Sequence, residues 1–218
     1  MIIFNNVTKR FPLGNTALNE VSFEIADNDF VFLVGPSGAG KTTILKLIMR
    51  EYTPTAGKVT VNDLKDLVAL RRSIGVVFQD FKILPDKNVF ENIALSLKVI
   101  GMRPAEIKTK VREALEMVNL SHKEKVFPLQ LSAGELQRVA IARAIVGDRQ
   151  ILLADEPTGN LDPKTSWSII KIFRKLEGKR TIIIATHNTD IVNSMQKRVF
   201  VMKDGKLTKD IKKGGYEL

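Results

Sequence analysis

Residues 35–42 read Gly-Pro-Ser-Gly-Ala-Gly-Lys-Thr, a G-x-x-x-x-G-K-[ST] loop, and few short motifs restrict a fold as tightly. Its glycines let the backbone curl until successive N–H groups point inward as a nest for phosphate oxygens. The geometry works when a strand feeds the loop and a helix leaves it, with the helix's positive end facing the same anion. Both flanks are present. Residues 30–34, Phe-Val-Phe-Leu-Val, are a continuous apolar run of the kind that fills a buried parallel strand. Residues 41–50 then carry Ile44, Leu45, Ile48 and Met49 at helical spacing. A plain structural glycine turn would explain the glycines but not the two flanks. The loop therefore predicts a bound nucleoside triphosphate, with Gly35, Pro36, Ser37, Gly38, Ala39, Gly40, Lys41, Thr42 and Thr43 around it. Lys41 is expected to neutralise the β- and γ-phosphates, and the Thr42 hydroxyl to ligate Mg²⁺.

The pattern elsewhere agrees with such a sheet. Residues 2–7, 21–25, 74–78, 151–154, 181–186 and 199–202 read as strands, and 164–176 and 189–195 as helices. Between about 86 and 147 the strands stop. That stretch holds a helix over 89–100, one opened by Pro104 with Ile107, Val111, Leu115 and Val118 in register, and a third over 135–146. The expectation is an α/β chain with a mainly parallel core sheet and helices on both faces. It forms a single domain over 1–218: 1–85 and 148–218 make the nucleotide-binding core, and 86–147 an inserted helical lobe.

Residues 151–156, Ile-Leu-Leu-Ala-Asp-Glu, make a buried strand that ends in two carboxylates. Ligands of open parallel sheets sit beyond the strands' carboxyl ends, so both acids are expected to face the phosphate loop. Asp155 would support Mg²⁺ through its water shell. Glu156 would polarise a water for in-line attack on the γ-phosphate. A strand capped by Asp-Glu is also common; the loop upstream is what favours chemistry. Leu131-Ser132-Ala133-Gly134-Glu135 precedes a helix and reads as a capping box, Ser132 at the N-cap and Glu135 reaching back. The same terminus would offer N–H groups to a γ-phosphate bound by another subunit. The two readings are compatible.

Composition excludes several classes. At 44% hydrophobic and 27% charged the chain is neither disordered nor collagen-like, and with no cysteine it has no disulfide scaffold, thiolate zinc site or cysteine nucleophile. No run approaches the roughly 18–20 apolar residues of a spanning helix, and the first residues lack a secretory pattern. A soluble intracellular chain is expected. The net charge of +10 suits an anionic partner, or simply a solvated lysine-rich surface. No basic-aromatic recognition pattern appears, so nucleic acid is not expected. Lys203, Lys206, Lys209, Lys212 and Lys213, opposed by Asp204, Asp210 and Glu217, leave the same two readings open: weak attraction to anionic lipid, or solubility. His122 matches no motif and is expected to be structural.

Residues 35–42, Gln79, 131–135, 151–156, Gly159-Asn160-Leu161-Asp162 and Thr186-His187 follow the order and spacing of ABC-transporter ATP-binding subunits. The chain resembles that family over nearly its whole length. The resemblance implies a P-loop ATPase fold with an antiparallel N-terminal β subdomain and ATP and Mg²⁺ as cofactors. It also implies a homodimer that closes head to tail on ATP, each nucleotide lying between one phosphate loop and the other subunit's Ser132, Gly134 and Glu135. By the same resemblance Phe11 stacks on adenine, Asp162 crosses the dimer interface, and Gln79 contacts Mg²⁺ and the attacking water. His187 would lie near the γ-phosphate, making Glu156, His187 and Gln79 catalytic and giving Thr42, Gln79 and Asp155 to the metal. Residues 71–85, Thr165-Ser166-Trp167 and Ala185-Thr186-His187-Asn188 are most similar to the cell-division, FtsE-like branch. That branch implies an FtsX-like integral membrane partner, a peripheral place at the cytoplasmic face of the cell membrane, and control of cell-wall hydrolases. The alternative is the lipoprotein-release and macrolide-export branch, which shares 154–162. One departure stands out: Ala133 replaces the family's glycine. If the backbone there had φ > 0, alanine would cost about 1 kcal/mol and weaken closure.

Overall fold

The computed structural model describes residues 1–12 and 14–214; Glu217 therefore lies outside the described residues. The chain begins β1 (Ile2–Arg10), β2 (Thr16–Ile25), β3 (Phe30–Val34), α1 (Lys41–Ile48), β4 (Ala56–Val61), α2 (Leu67–Ser73) and β5 (Ile74–Val77). Three helices follow, α3 (Val89–Val99), α4 (Pro104–Met117) and α5 (Ala133–Ile145). Strand and helix then alternate through β6 (Ile151–Asp155), α6 (Pro163–Lys175), β7 (Thr181–Thr186), α7 (Thr189–Met195), β8 (Arg198–Lys203) and β9 (Lys206–Ile211).

Two sheets result. One is antiparallel, in the order β2-β1-β4; the other runs β5-β6-β7-β3-β8-β9, parallel from β5 to β8 with β9 antiparallel at its edge. β3 lies between β7 and β8 and is buried at every residue, as its unbroken apolar run requires. Its alternating side chains feed two cores. Val31 and Leu33 pack with Phe4, Ile44, Leu153 and Phe200 on the side of the antiparallel sheet. Phe30, Phe32 and Val34 pack with Leu152, Ile182, Phe173 and the lobe residues Ile93, Leu97, Val111 and Leu115. The helices of 86–147 thus leave one strand, return to its immediate neighbour, and share a continuous core with the sheet.

Three elements have no counterpart in the sequence reading: β4, α2 and β9. In addition, the first strand runs on to Arg10 and the second begins already at Thr16. Among the described residues no helix is long and apolar enough to cross a membrane.

Candidate nucleotide site

The phosphate loop joins β3 to α1 in cramped surroundings. Gly35 has φ +145°, and a Cβ there would lie 2.1 Å from the Met202 carbonyl oxygen. Gly40 has φ +101°, and its Cβ would come within 2.6 Å of the Ala17 carbonyl oxygen. Neighbouring strands, as well as left-handed backbone, therefore demand glycine at both positions. Gly40 is the N-cap of α1 and offers no side-chain acceptor. The helix's first N–H groups are left to an external anion. Lys41 is buried and donates Nζ to the carbonyl oxygens of Gly35 at 2.7 Å and Pro36 at 3.1 Å, tying its ammonium to the loop itself.

A cleft of about 320 Å³ opens beside the loop, lined by Ser37, Gly38, Gly40, Lys41, Thr42, Thr43, Phe11, Gln79, Asp155 and Glu156. It gathers six of the sequence-selected loop residues with the acid pair, the aromatic and the glutamine, while Gly35, Pro36 and Ala39 do not line it. The Thr42 hydroxyl donates to Asp155 Oδ2 at 2.8 Å, directly linking α1 to the end of β6. Burial raises the Asp155 carboxyl above its ordinary value, against the Thr42 hydrogen bond and with the help of the neighbouring Glu156 charge. The larger cavity, about 770 Å³, lies at the other end of the strands beside Gln150 and Thr181 and contains none of the site residues.

Glu156 is held in an unusual way. It takes a left-handed φ of 46°, while its N–H donates to the Ala185 carbonyl at 2.9 Å. Oε1 lies 2.9 Å from His187 Nδ1, whereas Oε2 is buried and has no partner. A left-handed non-glycine residue with an orphan buried oxygen is a costly arrangement of the kind found where function demands it. His187 itself is outside the main cleft. It lines a second one of about 210 Å³ with Glu156, Thr158, Gly159 and Trp167, so Glu156 and its histidine stand between the two.

The signature residues lie elsewhere. Ser132 Oγ accepts from the Glu135 N–H at 3.3 Å and Glu135 Oε2 accepts from the Ser132 N–H at 2.9 Å, completing the capping box. The Ser132 N–H, then the Lys123 ammonium, hold the Glu135 carboxyl below its usual range. Ala133 is the first residue of α5 and is not among the left-handed residues, which removes the backbone penalty its replacement of glycine threatened. Asp162 caps α6, accepting from the Thr165 N–H at 3.0 Å. The two helix starts touch: a Cβ on Gly134 would lie 2.6 Å from Thr165 Cγ2. Ser132, Gly134, Glu135 and Asp162 thus form a second cluster that does not line the phosphate-loop cleft of the same chain.

Sequence reasoning missed Asn15, Ala17 and Tyr52. The first two line the cleft, and Asn15 O accepts from the Phe11 N–H at 2.8 Å. The signal for them was the turn between the first two strands, which brings β2 opposite Phe11. Tyr52 meets Phe11 edge-on at 5.3 Å, and the Lys9 ammonium lies 5.3 and 5.4 Å from the two ring centres. No local pattern announces that contact.

A parallel sheet that brings a glycine-built anion cradle and a paired acid to the carboxyl ends of its strands defines a phosphate-loop nucleotide-binding ATPase. The sequence model of the ABC transporter family matches residues 18–159, and the chain belongs to that family as an ATP-binding cassette. It is 50% identical to the cell division ATP-binding protein FtsE of Bacillus subtilis, over 99% of this chain and 98% of that one. The protein of the same name from Streptococcus pneumoniae is 46% identical, over 99% and 97% of the two chains. Among solved structures it is similar to the dimeric bacterial ABC transporter cassette MJ0796, with TM-score 0.88 and 37% identity over 99% of this chain and 100% of the other. A dimeric post-hydrolysis state of MJ0796 bound to ADP and Pi is similar at TM-score 0.88 and 36% identity, with 99% and 100% covered.

Proposed function

We propose that the chain hydrolyses Mg·ATP as a head-to-tail homodimer and that closure of this dimer drives an FtsX-like integral membrane protein in bacterial cell division. The observation that carries the chemistry is the Glu156 carboxylate, with Oε1 tied to His187 and Oε2 buried and unpartnered beside the loop. Oε2 accepts the proton of the attacking water, while His187 keeps the carboxylate from rotating. The Gln79 carboxamide, in the same cleft, orients that water, and the Phe11 ring receives the adenine. Mg²⁺ fits the remaining donors. Asp155 and Thr42 face each other at 2.8 Å, and no cluster of three His, Cys, Asp or Glu exists among the described residues. Such a sparse set suits an ion held by one carboxylate, one hydroxyl, phosphate oxygens and water. When bound, Mg²⁺ offsets charge on the β- and γ-phosphate oxygens.

The separation of the two clusters supports the dimer. Ser132, Gly134 and Glu135 serve the nucleotide of a second copy, and Asp162 lies at the seam. The dimeric relatives support this arrangement. We assign 1–85 and 148–218 to the nucleotide core and 86–147 to the lobe, with Phe81 and Leu84, both half-buried, as the place where the membrane partner docks. On this reading the chain is peripheral at the cytoplasmic face of the membrane.

Glu156→Gln tests the proposal: turnover is expected to fall by about 10²–10⁴ with ATP affinity nearly unchanged by calorimetry. A parallel collapse of affinity would mean that Glu156 builds the site instead of acting in it. Lys41→Ala, by contrast, is expected to weaken ATP binding itself.

A further inference from the structure

The segment that leaves Gln79 carries two consecutive left-handed residues, Phe81 at φ 57° and Lys82 at φ 50°. Neither is glycine, so each holds a Cβ against a carbonyl oxygen, and such a pair does not keep this shape unaided. Local bonds give limited support. The Phe81 N–H reaches the Phe78 carbonyl at 3.3 Å, the Lys82 N–H reaches the Asp80 carbonyl at 2.6 Å, and the Lys82–Asp80 ion pair is open to solvent.

The remaining support comes from α5. Arg143, in its last turn, donates Nη1 to the Lys82 carbonyl at 2.5 Å and Nη2 to the Phe81 carbonyl at 2.7 Å. One planar fork grips both left-handed residues, a geometry that lysine cannot copy. No carboxylate pairs with this guanidinium among the described residues, and burial pulls its pKa down. A charge set there without a counter-ion points to a specific task for its donors. Further along, buried Asn92 of α3 accepts from the Leu84 N–H at 2.9 Å and donates to the carbonyls of Leu84 at 3.0 Å and Lys87 at 2.8 Å. The segment is thus fastened to the helices of the lobe.

We infer that Arg143 is a positioning residue for ATP hydrolysis: by clamping Phe81 and Lys82 it sets where Gln79 stands in the cleft. The inference rests on the reading of Gln79 given above. It also gives α5 two ends with linked duties. Ser132 and Gly134 open the helix and Arg143 closes it, so a tilt imposed at the signature end is delivered to Gln79.

The test compares steady-state hydrolysis by the wild-type chain with Arg143→Ala, Arg143→Lys, Gln79→Ala and the double variant Arg143→Ala/Lys82→Gly. Lys82 is exposed, and glycine there accepts φ > 0 without strain. Arg143→Ala is expected to lower kcat about tenfold or more with KM for ATP within about twofold, and Arg143→Lys to fall between. Adding Lys82→Gly is expected to return most of the lost kcat, which a merely structural arginine would not show. If Arg143→Ala does not fold, Arg143→Lys with and without Lys82→Gly makes the same comparison. A lower melting temperature with unchanged kcat, or a loss that Lys82→Gly leaves untouched, overturns the inference alone when Gln79→Ala is impaired. Full turnover in Gln79→Ala removes the reading of Gln79 and this inference with it.

Discussion

Asp155 sits at the end of β6 beside the Glu156 charge, with the Thr42 hydroxyl as its hydrogen-bond donor, and burial dominates its titration. Because its folded pKa is raised, the folded chain binds the proton more tightly than the unfolded one. Its contribution to stability is therefore full below the ordinary carboxylate range and is lost as pH rises toward the raised folded value. Above that window the ionised Asp155, desolvated by burial, works against the fold. Asp155→Asn is accordingly expected to raise the melting temperature on the alkaline side of that window and to remove that part of the pH dependence, while Mg-dependent hydrolysis disappears. A lower melting temperature on that side would mean that the Thr42 bond to the carboxylate outweighs burial.

Where α5 meets α6, a glycine takes the place that helix propensity would give to alanine. Alanine in a helix interior is ordinarily favoured by about 1 kcal/mol over glycine. At position 134, however, a Cβ would lie 2.6 Å from Thr165 Cγ2, a β-branched carbon with little freedom to move. Gly134→Ala is expected to lower the melting temperature, and adding Thr165→Ser, which removes Cγ2 and keeps the hydroxyl, to restore it. Absence of rescue would show that the helix starts give way elsewhere. The elements that sequence made visible are those with unbroken apolar runs or strong caps, such as β3, β6, β7 and α5. Those it hid have little to bury. β9 has no fully buried residue, β4 buries Val61 alone, and α2 buries Leu70 alone while leaving Val68 exposed. The same division runs through the site. The loop, the acid pair and the capping box are contiguous in sequence and could be read there. The grip of Arg143 on Phe81 and Lys82, the Tyr52–Phe11 contact and the β5-β6-β7-β3-β8-β9 order arise only when distant segments meet.

In the whole molecule, the phosphate-loop cleft and the Ser132–Gly134 helix start belong to one chain but not to one pocket. If hydrolysis needs both, each active site is assembled from two copies, and two different defects can be sorted by mixing. Lys41→Ala damages the loop and leaves the signature helix intact; Ser132→Arg places a bulky cation at the signature and leaves the loop intact. Each variant alone has two damaged sites per dimer. A mixed dimer has one site carrying both defects and one carrying neither. Random pairing makes half of the dimers mixed, with one sound site in two, so the mixture is expected to recover about a quarter of wild-type turnover from two inactive proteins. Sedimentation of Glu156→Gln with ATP is expected to give about twice the 24.4 kDa mass of one chain, and the mass to return to that of one chain without nucleotide. Activity of the mixture no greater than the sum of its parts, with mixed dimers demonstrated by differential tagging, would place the signature and the loop in the service of the same chain and rule out the head-to-tail arrangement.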